Sequence, residues 1–231
     1  MSPSPRVVAI DGAAGSGKST LARSLAAALG LPYVNTGLMY RALAAAALRE
    51  ATPPDDDQTL VRLARGLRFI VRVEPPGELE VEGYDSSELT SVEVESTVSV
   101  VASHDVVRAY MRREQRELGS RHGAVMEGRD IASVVFTDAP VKLYLQAPAD
   151  LRAHRRAIER SSGQGSDVAA ALGRRDERDA RTTPHEPAPG AVVIDTSELD
   201  PQRTLAVAIE AVRELAPEML GSGPTASGTS T

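Results

Sequence analysis

Apolar residues along this 231-residue chain follow two rhythms. Short, nearly unbroken apolar runs at "RVVAID" (6–11), "YVN" (33–35), "GAVMEGRD" (123–130), "APVKLYLQA" (139–147) and "GAVVID" (190–195) predict strands, the third running into a turn. Longer stretches repeat their apolar residues every three or four positions and predict helices over 19–30, 37–50, 57–66, 92–103, 105–118, 149–160 and 201–216. Gly30 closes the first of these, and Asp200 followed by Pro201 opens the last. An Arg/Asp-rich segment after "SSGQGSD" predicts one more helix. "LRFIVRV" and "ELEVEG" flank "EPPG" and predict a hairpin.

Strands that alternate with helices imply an α/β fold built on a parallel sheet. The hairpin and the two helices after it break that alternation. The chain is therefore expected to hold a core over 1–65 and 122–216, an insertion over 66–121, and a disordered, apolar-poor tail over 217–231. No internal repeat is present.

Composition narrows the function classes. A net charge of -6, 3% aromatic residues and no Trp argue against a nucleic-acid binder, which would need a basic surface and stacking platforms. The absence of Cys excludes disulfides, thiolate catalysis and Cys-type zinc sites. His104, His122, His154 and His185 lack metal-ligand spacing. No apolar run approaches 18 residues and the N-terminus has no long apolar segment, so a soluble, cytoplasmic protein without membrane contact is expected. No obligatory protein partner is indicated, and a monomer is expected.

The stretch "GAAGSGKST" (12–20) stands between the first strand and the first helix. Glycines there weaken regular structure by roughly 1 kcal/mol each in a helix, so they answer another need. Gly12, Gly17, Lys18 and Ser19 match G-x-x-x-x-G-K-[ST], the phosphate-binding loop, in the strand–loop–helix context that motif requires. The backbone of Gly12, Ala13, Ala14, Gly15, Ser16, Gly17, Lys18, Ser19 and Thr20 would cradle the phosphates of ATP. Lys18 would reach the β- and γ-phosphates and the Ser19 hydroxyl would hold Mg²⁺. Only Lys18 and Lys142 are lysines among 26 Lys and Arg residues, which marks Lys18 as a place for a compact ammonium.

The guanine-reading N-K-x-D of GTPases is absent. A small-molecule kinase needs a second anionic pocket, and Arg41, Arg108, Arg129 and the group Arg174, Arg175, Arg178 and Arg181 are candidates for it. Taken together, "IDGAAGSGKST", "NTGLMYR", "EGRDIASVVFTDAPVK", "AHRR" and "RRDERDAR" resemble bacterial cytidylate kinase, in order, over roughly residues 6–216.

The resemblance implies a nucleoside monophosphate kinase fold: five parallel strands flanked by helices, an acceptor-binding insertion and a lid over about 155–175. It further implies transfer of the γ-phosphoryl group of ATP to CMP or dCMP with Mg²⁺. Thr36, Arg41 and Arg129 fall in motifs that hold the acceptor phosphate. Ser99, Arg108 and Asp130 match positions that read cytosine, Arg175 and Asp179 match ribose contacts, and Arg178 and Arg181 lie in the same substrate-binding run. Arg155 and Arg156 belong to the lid, and with Lys18 and Arg129 they are the expected catalytic cations. The chain departs from the family pattern at Ala13, where proline is frequent, and at Thr90, where arginine is common. Arg181 stands one residue closer to Asp179 than usual, and His185 replaces a leucine.

Arg112, Arg113 and Arg116 alternate with Glu114 and Glu117, a pattern that predicts a solvated helix face. Two rival functions remain open from the residues alone: a kinase for UMP or another small acceptor, and a nucleotide-binding regulatory module without turnover.

Overall fold

The first strand, β1 (Val7–Gly12), is buried along its whole length, as the central strand of a parallel sheet must be. In this computed structural model, which describes residues 6–159 and 186–220, β1 pairs with β5 (Ala124–Glu127) on one side and β6 (Val141–Gln146) on the other. With β2 (Tyr33–Asn35) and β7 (Val192–Asp195) they form one five-stranded parallel sheet in the order β2-β5-β1-β6-β7. The expected helix after "SSGQGSD", Arg175, Arg178, Asp179, Arg181, the Arg156 side chain, most of the expected lid and the tail beyond residue 220 lie outside the described residues.

Side chains alternate along β1 and so serve two cores. Val7 and Ala9 face a layer built by α2 (Thr36–Arg49), α3 (Asp57–Gly66), α5 (Val92–Val101) and α6 (Asp105–His122). Val8 and Ile10 face α1 (Lys18–Leu29) and α8 (Pro201–Leu215). A fully buried leucine such as Leu25 stabilises the fold by about 1.5–3 kcal/mol. The alanines of α2, from Ala44 to Ala47, are all buried, and their small size lets α3 and α5 pack close. Asp56 and Asp200 accept backbone N–H bonds from Thr59 and Arg203 and so begin α3 and α8, as the loop residues before them predict.

The hairpin pairs β3 (Phe69–Val71) with β4 (Leu79–Val81), antiparallel and separate from the main sheet. A short helix α4 (Ser86–Leu89), started by the Asp85 side chain on the Glu88 N–H, was not anticipated by the apolar pattern because only Leu89 of it is buried. The turn after β5 is one π-helical turn, Ile131–Val135. α6 crosses it so closely that a Cβ on Gly119 would lie 2.6 Å from the Phe136 ring. α7 (Ala149–Glu159) follows β6. No helix among the described residues is long and apolar enough to cross a membrane.

Candidate active site

All five strands run parallel, so the segments that leave their C-terminal ends gather along one edge of the sheet, where ligands of open α/β sheets bind. Residues 12–20 leave β1, Thr36 leaves β2, Gly128 to Asp130 leave β5, Arg152 and Arg155 follow β6, and Thr196 follows β7.

The glycines of the loop have separate reasons. Gly12 (φ 149°) and Gly15 (φ 76°) are both left-handed and crowded: a Cβ on Gly12 would collide with the Leu145 carbonyl oxygen, and one on Gly15 would lie 2.7 Å from that of Arg152. Gly17 (φ 94°) has open space where a Cβ would be, so its requirement is conformational. It caps α1, whose first N–H groups and partial positive charge face the loop. Lys18 is buried, and its Nζ donates to the Ala13 carbonyl across the loop at 2.7 Å.

Two side chains that sequence reasoning passed over hold the loop from behind. Arg152, buried on α7, donates from Nη1 to the Ala14 carbonyl and from Nε to that of Ala147, each at 3.1 Å. Thr196 lies 3.1 Å from the Ser16 carbonyl, with its hydroxyl as donor. Arg155 in turn donates to the Thr196 hydroxyl at 3.0 Å and to its carbonyl at 2.6 Å. Beside Gly15 and Gly17, Thr196 and Arg155 line a cavity of about 290 Å³ with apolar walls from Leu21, Ile158, Leu199 and Pro201.

Asp11, the polar end of an apolar run, is buried and joins two strands' worth of chemistry. Its Oδ1 accepts the Ile131 N–H at 2.7 Å and its Oδ2 the Ala132 N–H at 2.9 Å, the two amides directly after Asp130. Burial raises its carboxyl to about 6, against the pull of those N–H bonds and of the Lys18 charge. Glu127, also buried, accepts the Tyr33 hydroxyl, and Ser19 bonds to the same hydroxyl. The loop serine and a carboxylate are thus separated by one tyrosine oxygen. The Thr36 hydroxyl donates to the Glu127 carbonyl at 2.8 Å, packed over Gly128.

Asp130 is buried, and its Oδ2 accepts Arg108 Nη2 at 2.8 Å and Arg112 Nη2 at 3.0 Å. The expectation of a solvated face therefore fails for Arg112. It sits one turn beyond Arg108 on the inner side of α6, and the i,i+4 spacing was the available signal. Arg113 does follow the expectation and pairs with Glu114 at the surface. Tyr40, in the "TGLMYR" stretch, joins the same cluster. Burial and the Asp130 charge push its hydroxyl up to about 12, while Arg108, Arg112 and a Gln115 hydrogen bond pull the other way.

The remaining candidates surround this cluster. Arg129 is half-buried at the end of β5, near enough to Tyr144 on β6 for its charge to act on that hydroxyl. Ser99 is half-buried on α5. Arg41 is buried and donates to the Leu89 carbonyl and to Glu95 Oε1, both at 3.1 Å. Among the described residues no group of three or more His, Asp and Glu side chains could hold a metal by itself.

Similarity to known proteins bears on the same residues. The family model described as cytidylate kinase matches residues 8–214. A cytidylate kinase of Roseiflexus castenholzii is 41% identical over 223 residues, covering 91% of this chain and 94% of that one. One from Mycolicibacterium paratuberculosis is 42% identical over 90% of this chain and 94% of its own. One from Thermus thermophilus is 42% identical over 82% and 90%. Among solved structures, a gluconokinase from Sinorhizobium meliloti 1021 superposes with a TM-score of 0.51 at 15% identity, covering 94% of this chain and 96% of that one, a likeness of fold alone. The match runs from the second residue of β1 to the last turn of α8 and so takes in every segment of the candidate site, and on that ground the chain belongs to the cytidylate kinase family.

Proposed function

We propose that this protein transfers the γ-phosphoryl group of ATP to CMP, giving ADP and CDP, and that dCMP is also an acceptor. The observation that carries this reading is the pairing along one sheet edge. A phosphate loop ends β1, a buried carboxylate with two guanidinium partners follows β5, and Asp11 hydrogen-bonds the two segments together. Membership in the cytidylate kinase family supports it.

On this reading ATP lies over residues 12–20, with its base in the cavity bounded by Leu21, Leu199 and Pro201. Lys18 exchanges the Ala13 carbonyl for the transferring phosphoryl group. Thr36, Arg41 and Arg129 receive the acceptor phosphate. That phosphate is already anionic near neutral pH, so no general base is needed; positioning and charge neutralisation supply the acceleration. The residues fit Mg²⁺, because the Ser19 hydroxyl and the Glu127 carboxylate are hard oxygen donors joined through Tyr33, and this ion takes few protein ligands beside phosphates. When bound, it would supply positive charge to neutralise the phosphates as the phosphoryl group transfers. Residues 66–121 are assigned as the acceptor-side insertion and about 155–175, with Arg155 and Arg156, as the lid that the resemblance implies, most of which lies outside the described residues. Arg175, Arg178, Asp179 and Arg181, outside the described residues, keep the ribose and phosphate roles that the resemblance implies.

Cytosine presents an amino donor at C4 and acceptors at N3 and O2. With both arginines on Asp130 Oδ2, Oδ1 is the oxygen that takes the amino group on this reading, and Arg108 and Ser99 take N3 and O2. Uracil would set a lone pair against that carboxylate and leave buried polar groups unpaired. ADP release measured with CMP, dCMP, UMP, AMP, GMP and dTMP tests this. CMP is expected to exceed UMP in kcat/KM by roughly 10² or more. Equal use of the two refutes the base reading, and no release with any acceptor refutes catalysis.

A further inference from the structure

Arg112 has no assigned part in the reading above, yet it is built into the cluster that the reading depends on. Its Nη2 reaches the same Asp130 oxygen as Arg108, from the next turn of α6, and its side chain is about one-third exposed where that of Arg108 is 9% exposed. The two cations are therefore not equivalent. Arg108 lies deep in the cluster, and Arg112 stands at its rim.

The polar groups around Arg112 exceed what packing requires. Its Nε is buried without a hydrogen-bond partner among the described residues, and so is Oε1 of Gln115, three residues on along the same helix. A buried donor and a buried acceptor left unmatched cost stability, and such groups persist where a site needs them. The Asp130 charge also acts on the Tyr40 hydroxyl of α2, which Gln115 hydrogen-bonds, so Asp130 faces polar or charged groups from α2 and from two positions of α6.

We propose that Arg112 is a specificity-determining positioning residue: it holds Asp130 in place for the acceptor base while Arg108 turns its own N–H groups toward the ring. This rests on the assignment of Asp130 to the base. Without Arg112, a guanidinium that leaves the carboxylate for the substrate would abandon a buried charge, and the two contacts to cytosine would compete. With Arg112 in place, both form together. Charge-assisted bonds of this type are the strong ones, so the effect should be visible in acceptor binding and not in phosphoryl transfer itself.

The test is steady-state kinetics of Arg112→Ala, Arg112→Lys and Asp130→Asn in the full-length chain, with thermal midpoints for each. Arg112→Ala is expected to raise KM for CMP about tenfold, to lower the CMP/UMP ratio of kcat/KM by a similar factor, and to leave kcat and KM for ATP within about threefold. Arg112→Lys, which keeps the charge but not the planar fork, should recover part of the loss. In the Asp130→Asn background Arg112→Ala should change the ratio less than about twofold, since the partner is gone. A folded Arg112→Ala protein with the parent's KM and ratio overturns the proposal, as does equal loss for CMP and ATP, which would mark a merely structural role. If Asp130→Asn narrows the ratio and Arg112→Ala does not, Arg112 alone is misassigned. If the parent itself fails to prefer CMP, the base assignment falls and this inference with it.

Discussion

The phosphate-loop side and the Asp130 side of the cleft are built in opposite ways. The loop side is mostly backbone. Its glycines let amide groups converge, its one lysine bonds to the loop's own carbonyl, and Arg152 and Thr196 brace it through main-chain oxygens. The Asp130 side is mostly side chain, with a carboxylate, two guanidinium groups, a tyrosine and a glutamine brought in from β5, α2 and α6. Backbone cradles fit what every nucleotide shares, its phosphates. Side-chain clusters fit what distinguishes one nucleotide from another, the base.

The largest effect should come from the one cation within the loop itself. Lys18→Ala is expected to lower kcat by roughly 10²–10³ or more, the scale for losing a preorganised charge contact, with the fold intact. Circular dichroism and turnover of the purified variant check both parts, and near-normal turnover would remove Lys18 from the chemistry. CMP and UMP should suffer alike, which is the signature of the general side.

Asp130→Ala should behave in the reverse manner. We expect it to erode the CMP/UMP ratio by about 10-fold to 10²-fold, mainly through CMP, at about 1–3 kcal/mol per well-made base contact. kcat/KM for both acceptors in parent and variant decides it, and an unchanged ratio would break the contrast between the two sides.

Within the loop, the glycines sharpen the contrast further. Gly12→Ala must force a Cβ against the Leu145 carbonyl at a left-handed φ, at a cost of roughly 2–4 kcal/mol from strain and overpacking. Gly17→Ala meets nothing and should cost only the conformational part, about 1–2 kcal/mol. Urea midpoints of the two variants compare them directly, and equal losses would show that crowding at Gly12 is relieved by small shifts.

Asp11, which ties the sides together, carries the most pH-bound effect. Burial raises its carboxyl to about 6, so between about pH 4 and 6 the folded protein keeps a proton that the unfolded chain releases. Its contribution to stability is fully present below about pH 4 and is lost as pH rises through about 6, on the order of 1–3 kcal/mol. Asp11→Asn removes this slope. The difference between parent and variant curves isolates it, because Asp56, Asp85 and Asp195 have lowered carboxyls and act with the opposite sign. Parallel curves for the two proteins from pH 4 to 7 would contradict the assignment.

The α/β alternation, the five strand segments, the start of α8 at Asp200 and Pro201, and the whole phosphate loop are legible in the order of residues. These are local matters. Apolar spacing follows from whether a segment lies in a strand or a helix, and left-handed backbone calls for glycine wherever it occurs. Resemblance carried the further step from loop to family, because several short motifs in fixed order are far more specific than one. The tertiary structure alone decided what each arginine faces. In a chain with 26 Lys and Arg residues, the helical pattern gave Arg112 and Arg113 the same surface, yet one reaches a buried carboxylate and its neighbour a half-buried one at the surface. The same holds for Asp11, Tyr40, Glu127 and Arg152, whose partners are 5 to 138 residues away in sequence or set by sheet register. Charge pairing across elements depends on distance and burial in three dimensions, and neither is written in the local pattern of residues.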